Sequence, residues 1–127
     1  MQNKTLIDTN VILRFLTMDN ETYYRKSCNI FSDIEKGKIK AFIPEFILAE
    51  TVYVLKRIYN VSKKDIAFAL KQLLMIKNIN CENKMVVFEA LDIYAEKNID
   101  FADSLLCAKM KIENYEIISF DKDLSKC

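Results

Sequence analysis

Apolar residues in this chain alternate between short runs and stripes at helical spacing. Lys4 to Ile7 reads as a short buried strand, and a helix over about Val11 to Leu16 follows it. Asp19 or Asn20 can cap a second helix running to about Lys36, with Tyr24, Cys28, Phe31 and Ile34 as its apolar stripe. Gly37 falls just past its end, where a left-handed closing residue is favoured. Ala41-Phe42-Ile43 is a second short strand, and Pro44 opens a helix of about Glu45 to Ile58, as proline does at a first turn. Ser62 with Asp65 forms a capping-box-like start for a fourth helix carrying Ile66, Leu70, Leu73 and Leu74. Ile79 to Cys81 is a third short strand. Asn83 caps a helix with Val87, Ala90, Leu91 and Tyr94 on one face, and Asp100 caps another over about Phe101 to Lys111. Glu116 to Ser119 reads as a last strand. Strands and helices alternating at these lengths predict an α/β domain over residues 1–127, with a small parallel sheet covered by helices on both faces.

Four acids break this apolar pattern. Asp8 ends the run Thr5-Leu6-Ile7, Glu50 lies inside Phe46 to Val54, Asp103 interrupts Phe101 to Leu106, and Asp121 follows Ile117 to Phe120. A carboxylate on an apolar surface is costly unless a cation or strong donors satisfy it. A shared divalent metal is the simplest partner for all four. Topology alone can bring them together, because ligands of an open parallel sheet bind where strands end and helices begin. Asp8 ends the first strand, Asp121 lies just beyond the last, and Asp103 is in the first turn of its helix. Glu50 sits about two turns into its helix, with Phe46, Ile47, Tyr53 and Val54 at three and four residues, which predicts a place on the buried stripe.

Each acid also has a simpler reading. Glu50 could pair with a lysine or cap a backbone group. Asp103 falls three residues after the cap Asp100, where acids are favoured electrostatically. Asp8 is in a good helix-capping sequence, and Asp121 with Asp123 could be a polar segment only. Thr9, Asn10 and Ser119 add hydroxyl and amide oxygens beside the acids, suited to orienting a carboxylate or a water, and equally to local turn bonds. Oxygen-only ligands select hard cations, so Mg²⁺ or Mn²⁺ is expected rather than zinc. Three or four carboxylates can hold one or two such ions about 4 Å apart, activating water against a phosphodiester.

Composition removes most other chemistries. The chain has no histidine, which excludes Ser-His-Asp and Cys-His catalysis and imidazole-bound zinc. A single glycine leaves no phosphate-cradling or dinucleotide-binding loop. The net charge of +1 gives no global basic surface, so any nucleic-acid contact must be local. Arg14, Lys56, Arg57, Lys109 and Lys122 are candidates for phosphate contacts. The N-terminal segment does not resemble a signal peptide, and no apolar run has membrane-spanning length. The four cysteines are far apart, with no C-x-x-C pair, and read as reduced structural thiols of a cytoplasmic protein.

Leu6-Ile7-Asp8-Thr9-Asn10, Pro44 through Ala49-Glu50, Asp100-Phe101-Ala102-Asp103-Ser104-Leu105 and Ser119-Phe120-Asp121 together resemble PIN-domain ribonucleases, in particular the VapC-like toxins of type II toxin–antitoxin modules. The likeness runs along essentially the whole chain. It implies a three-layer α/β/α domain that cleaves RNA with Mg²⁺ or Mn²⁺. By this resemblance Asp8, Glu50 and Asp103 match the metal-binding core and Asp121 the fourth, less constant acid. Thr9, Asn10 and Ser119 match supporting positions. The resemblance also implies a homodimer and a small antitoxin that plugs the acidic groove. One departure is that only residues 122–127 follow Asp121, so a terminal strand of many relatives is expected to be short or absent.

Three other readings compete. A PIN-like binding or scaffold module would keep the fold without catalysis, and a housekeeping nuclease would process RNA without an antitoxin. An aspartate phosphotransfer domain also starts with an acid after its first strand. Here, however, Asn10 replaces the second acid, and no lysine matches the one such folds need.

Overall fold

The computed structural model describes residues 4–127. Three short strands, β1 (Lys4–Leu6), β2 (Lys40–Phe42) and β3 (Ile79–Asn80), form one parallel sheet in the order β1-β2-β3. Lys4 pairs with Lys40, Leu6 with Phe42, and Ala41 with Ile79. Helices α1 (Thr9–Thr17) and α2 (Glu21–Glu35) connect β1 to β2, and α3 (Glu45–Arg57) and α4 (Lys63–Leu74) connect β2 to β3. After β3 come α5 (Lys84–Glu96), α6 (Phe101–Glu113) and a 3₁₀ turn, Lys122–Lys126. The expected α/β architecture with a small parallel sheet is present.

The helix starts follow from local chemistry. Asn20, Ser62, Asn83 and Asp100 each accept a backbone N–H of their own first turn, at 3.0, 3.2, 3.0 and 2.9 Å respectively, so each satisfies a donor that the helix cannot. Gly37 closes α2 at φ 84°, and its N–H reaches the Ile34 carbonyl at 3.0 Å. The helix after β1 begins at Thr9, two positions before the predicted Val11, because Asp8 already holds the extended conformation of a cap.

One contiguous core holds the elements together. Ile12, Ile34, Ile43, Leu48, Leu70 and Leu91 are fully buried within it. Each such side chain contributes about 1.5–3 kcal/mol when removed from water. Tyr94 and Phe101 meet edge to face at 5.9 Å and fix α5 against α6. A Lys71–Asp92 ion pair joins α4 to α5.

Three sequence expectations fail. The first strand is not buried: Lys4, Thr5 and Leu6 are all exposed, and burial starts at Ile7. The predicted strand over Glu116 to Ser119 is not formed. Asn114 ends α6 in the left-handed conformation, and residues 115–120 continue without regular structure. Ile118 is 98% exposed, Phe120 is fully exposed, and Leu6 of β1 is 71% exposed. An apolar run has strand propensity only as far as a neighbouring strand accepts its ladder, and among the described residues β1 is paired on β2 alone. The reading of four reduced thiols fails as well. Cys107, on the buried face of α6, forms a disulfide with Cys127, their Cα atoms 5.4 Å apart, a spacing that bridging requires. The 3₁₀ turn folds Cys127 back onto α6, a proximity that sequence separation conceals. Cys28 and Cys81 are free, and burial pushes the Cys81 thiol up, away from reactivity.

Candidate active site

The parallel sheet sends β1, β2 and β3 out at one edge, and Asp8, Pro44 and Asn83 stand at the helix starts that follow. Asp8 occupies the cap position of α1 with φ −81° and ψ 159°, yet its side chain makes no capping bond. Its carboxylate is therefore exposed and uncommitted to its own helix. The next residue, Thr9, is 3% exposed, and its hydroxyl has no hydrogen-bond partner among the described residues. An orphaned buried hydroxyl costs free energy. Its position beside Asp8 suits a donor to a ligand-bearing oxygen.

Asp100 and Asp103 divide two tasks at the start of α6. Asp100 accepts the Asp103 N–H at 2.9 Å and so caps the helix. The Asp103 carboxylate is left free for another purpose. One oxygen from each of Asp103, Asp121 and Asp123 lies within 4.8 Å of the others. Burial raises the Asp103 pKa first, and the neighbouring charges of Asp100, Asp121 and Asp123 push it further. Three carboxylates converging at this range form a donor set suited to a hard divalent ion, and Asp123 also meets the Lys126 ammonium at 3.2 Å. Ser119 and Asp121 build the local turn: the Asp121 N–H donates to the Ser119 hydroxyl at 2.9 Å, and the Asp123 N–H donates to Asp121 Oδ1 at 2.9 Å.

Of the four acids singled out from sequence, the structure brings Asp103 and Asp121 together. Asp8 and Glu50 lie outside that 4.8 Å group. Glu50 is exposed rather than on the buried stripe. The spacing argument failed because two of its apolar neighbours, Phe46 and Tyr53, are themselves 68% and 62% exposed. The buried face of α3 is Ile47, Leu48, Thr51, Val52 and Leu55. Asn10 is exposed at the start of α1. Asp123 is the member that sequence reading set aside as part of a polar segment. The signal that could have found it is the Asp-x-Asp spacing at a tight turn, which puts two carboxylates on one side.

Two clefts flank the acids. One of about 410 Å³ reaches Asp103, Leu106 and Lys109. The other, of about 760 Å³, runs between α3 and the α5–α6 loop and reaches Asp123. The candidate cations sort clearly around them. Arg14 is bonded to Asp19 at 3.1 Å, and Lys109 to Glu45 at 3.2 Å and Glu113 at 3.5 Å. Lys56 and Arg57 are exposed and have no acidic partner among the described residues.

Comparison with known proteins identifies the family. The chain is 30% identical over 122 residues to a VapC ribonuclease of Aquifex aeolicus (strain VF5), a match covering 95% of this chain and 90% of that protein. The PIN domain family matches residues 5–127. A free Asp8 after β1, a clustered Asp103 at the start of α6 and a match spanning nearly every residue lead to one conclusion: the chain belongs to the PIN domain family.

Proposed function

We propose that this protein is a metal-dependent endoribonuclease that hydrolyses RNA phosphodiester bonds as the toxin of a toxin–antitoxin pair. The observation that carries the reading is the meeting of Asp103, Asp121 and Asp123 within 4.8 Å, in a chain similar throughout its length to a VapC ribonuclease. Asp8, Glu50, Asp103 and Asp121 would hold Mg²⁺ or Mn²⁺, with Asp123 adding an oxygen. Such an ion polarises the phosphodiester and lowers the pKa of water.

The protein's own part is preparation of the site. Asp100 takes over the capping duty, so Asp103 keeps its lone pairs for a ligand. The buried Thr9 hydroxyl, Asn10 and Ser119 would orient oxygens of the ligand shell. No histidine is present to act as a general base, which suits water activation by carboxylates and metal. We assign the activity to a single domain over residues 1–127 and place it in the cytoplasm, where RNA is at hand. Among the described residues no helix is long and apolar enough to cross a membrane. A homodimer and a small antitoxin protein as partner belong to the same reading. Exposed Phe46 on α3 and Phe68 on α4 offer apolar surface for such contacts.

The test is cleavage of a fluorogenic RNA with Mg²⁺ or Mn²⁺ against EDTA, with Asp8→Asn and Asp103→Asn beside the wild type. Cleavage requires the metal and is lost in both variants. Full activity in both would overturn the assignment. A non-catalytic binding module is favoured by one observation, the placement of Asp8 and Glu50 outside the acid group. RNA binding without metal-dependent turnover would establish that reading instead.

A further inference from the structure

The larger cleft is lined by charges of both signs. Asp123, a member of the acid group, lines it together with Asp100. Lys56 and Arg57 of α3 and Lys63 of α4 line it as well. Lys63 is committed: its ammonium donates to the Lys97 and Ile99 carbonyls, both at 2.8 Å, and lies 4.4 Å from the centre of the Tyr94 ring. Burial lowers its pKa first, and the nearby charge of Lys56 lowers it further while that of Asp100 opposes the shift. Lys56 and Arg57 remain exposed without an acidic partner among the described residues. Tyr53, one turn earlier on α3, is 62% exposed in the cleft, with the Arg57 guanidinium 5.9 Å from its ring centre.

Two unpaired cations beside an exposed aromatic ring have the composition that binds single-stranded nucleic acid. Cations neutralise a backbone phosphate, and the ring face stacks with an unpaired base. Ordinary solvated side chains on a helix would not need a cleft, nor one that opens onto the acid group. We propose that this cleft seats the nucleotide next to the scissile phosphate, with Lys56 and Arg57 on its phosphate and Tyr53 against its base. The assignment of that neighbour rests on the nuclease reading. A base stacked on Tyr53 must be unpaired, so the substrate is single-stranded at the cleavage site, and a continuous duplex is excluded.

The test is anisotropy of a short fluorescein-labelled single-stranded RNA in EDTA, measured over a range of KCl concentrations, so that binding is read without cleavage. Lys56→Ala with Arg57→Ala should weaken binding and reduce the slope of log affinity against log salt by about 0.7, the value for one phosphate contact. Tyr53→Ala should weaken binding roughly 5- to 100-fold with the slope unchanged, and Tyr53→Phe, which keeps the ring, should restore most of it. Lys36→Ala is the control, since Lys36 precedes β2 at the opposite edge of the sheet. A double variant no weaker than that control, equal losses in Tyr53→Ala and Tyr53→Phe, or no RNA binding by the wild type would each overturn the proposal. Wild-type cleavage with normal binding by every variant defeats the seat alone. The expected binding pattern without metal-dependent cleavage defeats the nuclease reading and leaves an RNA-binding cleft.

Discussion

Replacing Asp103 with Asn should make the metal-free protein more stable while removing its activity. Asp103 is partly buried, and its carboxylate oxygen is within 4.8 Å of those of Asp121 and Asp123. Each like-charge contact at such a range costs about 1 kcal/mol with water-like screening. The start of α6 offsets part of this, because a helix N-terminus favours an anion by about 0.3–1 kcal/mol. The balance leaves the Asp103 anion unfavourable by about 1 kcal/mol. Asn keeps the size of the side chain, and the backbone N–H still reaches Asp100. The sign with pH follows from the raised pKa. The protonated acid favours the fold below the ordinary carboxylate range, and that contribution is lost as pH rises through the raised value. At neutral pH in EDTA, the variant should therefore melt about 3–5 °C above the wild type for a chain of this size. Added Mg²⁺ should reverse the order, since an ion that binds only the folded wild type stabilises it by mass action. Differential scanning fluorimetry at pH 7.5, with EDTA and with Mg²⁺, reads both effects. A variant that melts below the wild type in EDTA would refute the repulsion argument. An unchanged order in Mg²⁺ would refute the role of Asp103 as a ligand.

Other expectations follow from the same geometry. Asp8→Asn leaves the melting temperature within about 1–2 °C of wild type, since an exposed side chain that caps nothing supports little structure, while RNA cleavage disappears; thermal melts and the cleavage assay are run on one preparation. Reducing the Cys107–Cys127 bond, which spans a sequence separation of 20, removes about 3 kcal/mol on the chain-entropy account. A melt with and without a phosphine reductant should show a drop on the order of 10 °C, matched by Cys127→Ser without reductant. Asn83→Ala removes the acceptor for two N–H groups of α5 and should cost about 1 kcal/mol in urea unfolding, with an unchanged denaturant slope.

Much of this architecture was legible because it is written locally. Caps at Asn20, Ser62, Asn83 and Asp100, the proline before Glu45 and the glycine after α2 each act within one turn. Their effects can be read without knowing what lies across the fold. What could not be read depends on partners distant in sequence. Glu116 to Ser119 has the residues of a strand, but no strand accepts it in this structure. Cys107 and Cys127 meet only because the 3₁₀ turn returns to α6. Glu50 shows the same limit from another side. Apolar neighbours imply burial only where those neighbours are buried, and Phe46 and Tyr53 are not. Within the candidate site, Asp103 was found by its break in an apolar run. Asp123 had no such contrast, because its surroundings are polar.

The outer edge of β1 has a consequence for self-association. Among the described residues no strand pairs with this edge, and Leu6 on it is exposed. An edge of this kind accepts an extended segment from any chain that offers one. The run Ile117-Ile118-Ser119-Phe120, exposed beyond a half-buried Ile117, has a suitable composition, so each molecule presents both a template and a strand that could fill it. Charge on the edge strand holds this tendency in check. Lys4 of β1 is exposed, and a lysine on an edge strand opposes the docking of a further strand. In this molecule a charge on the strand that leads into Asp8 also bears on whether neighbouring copies stay apart.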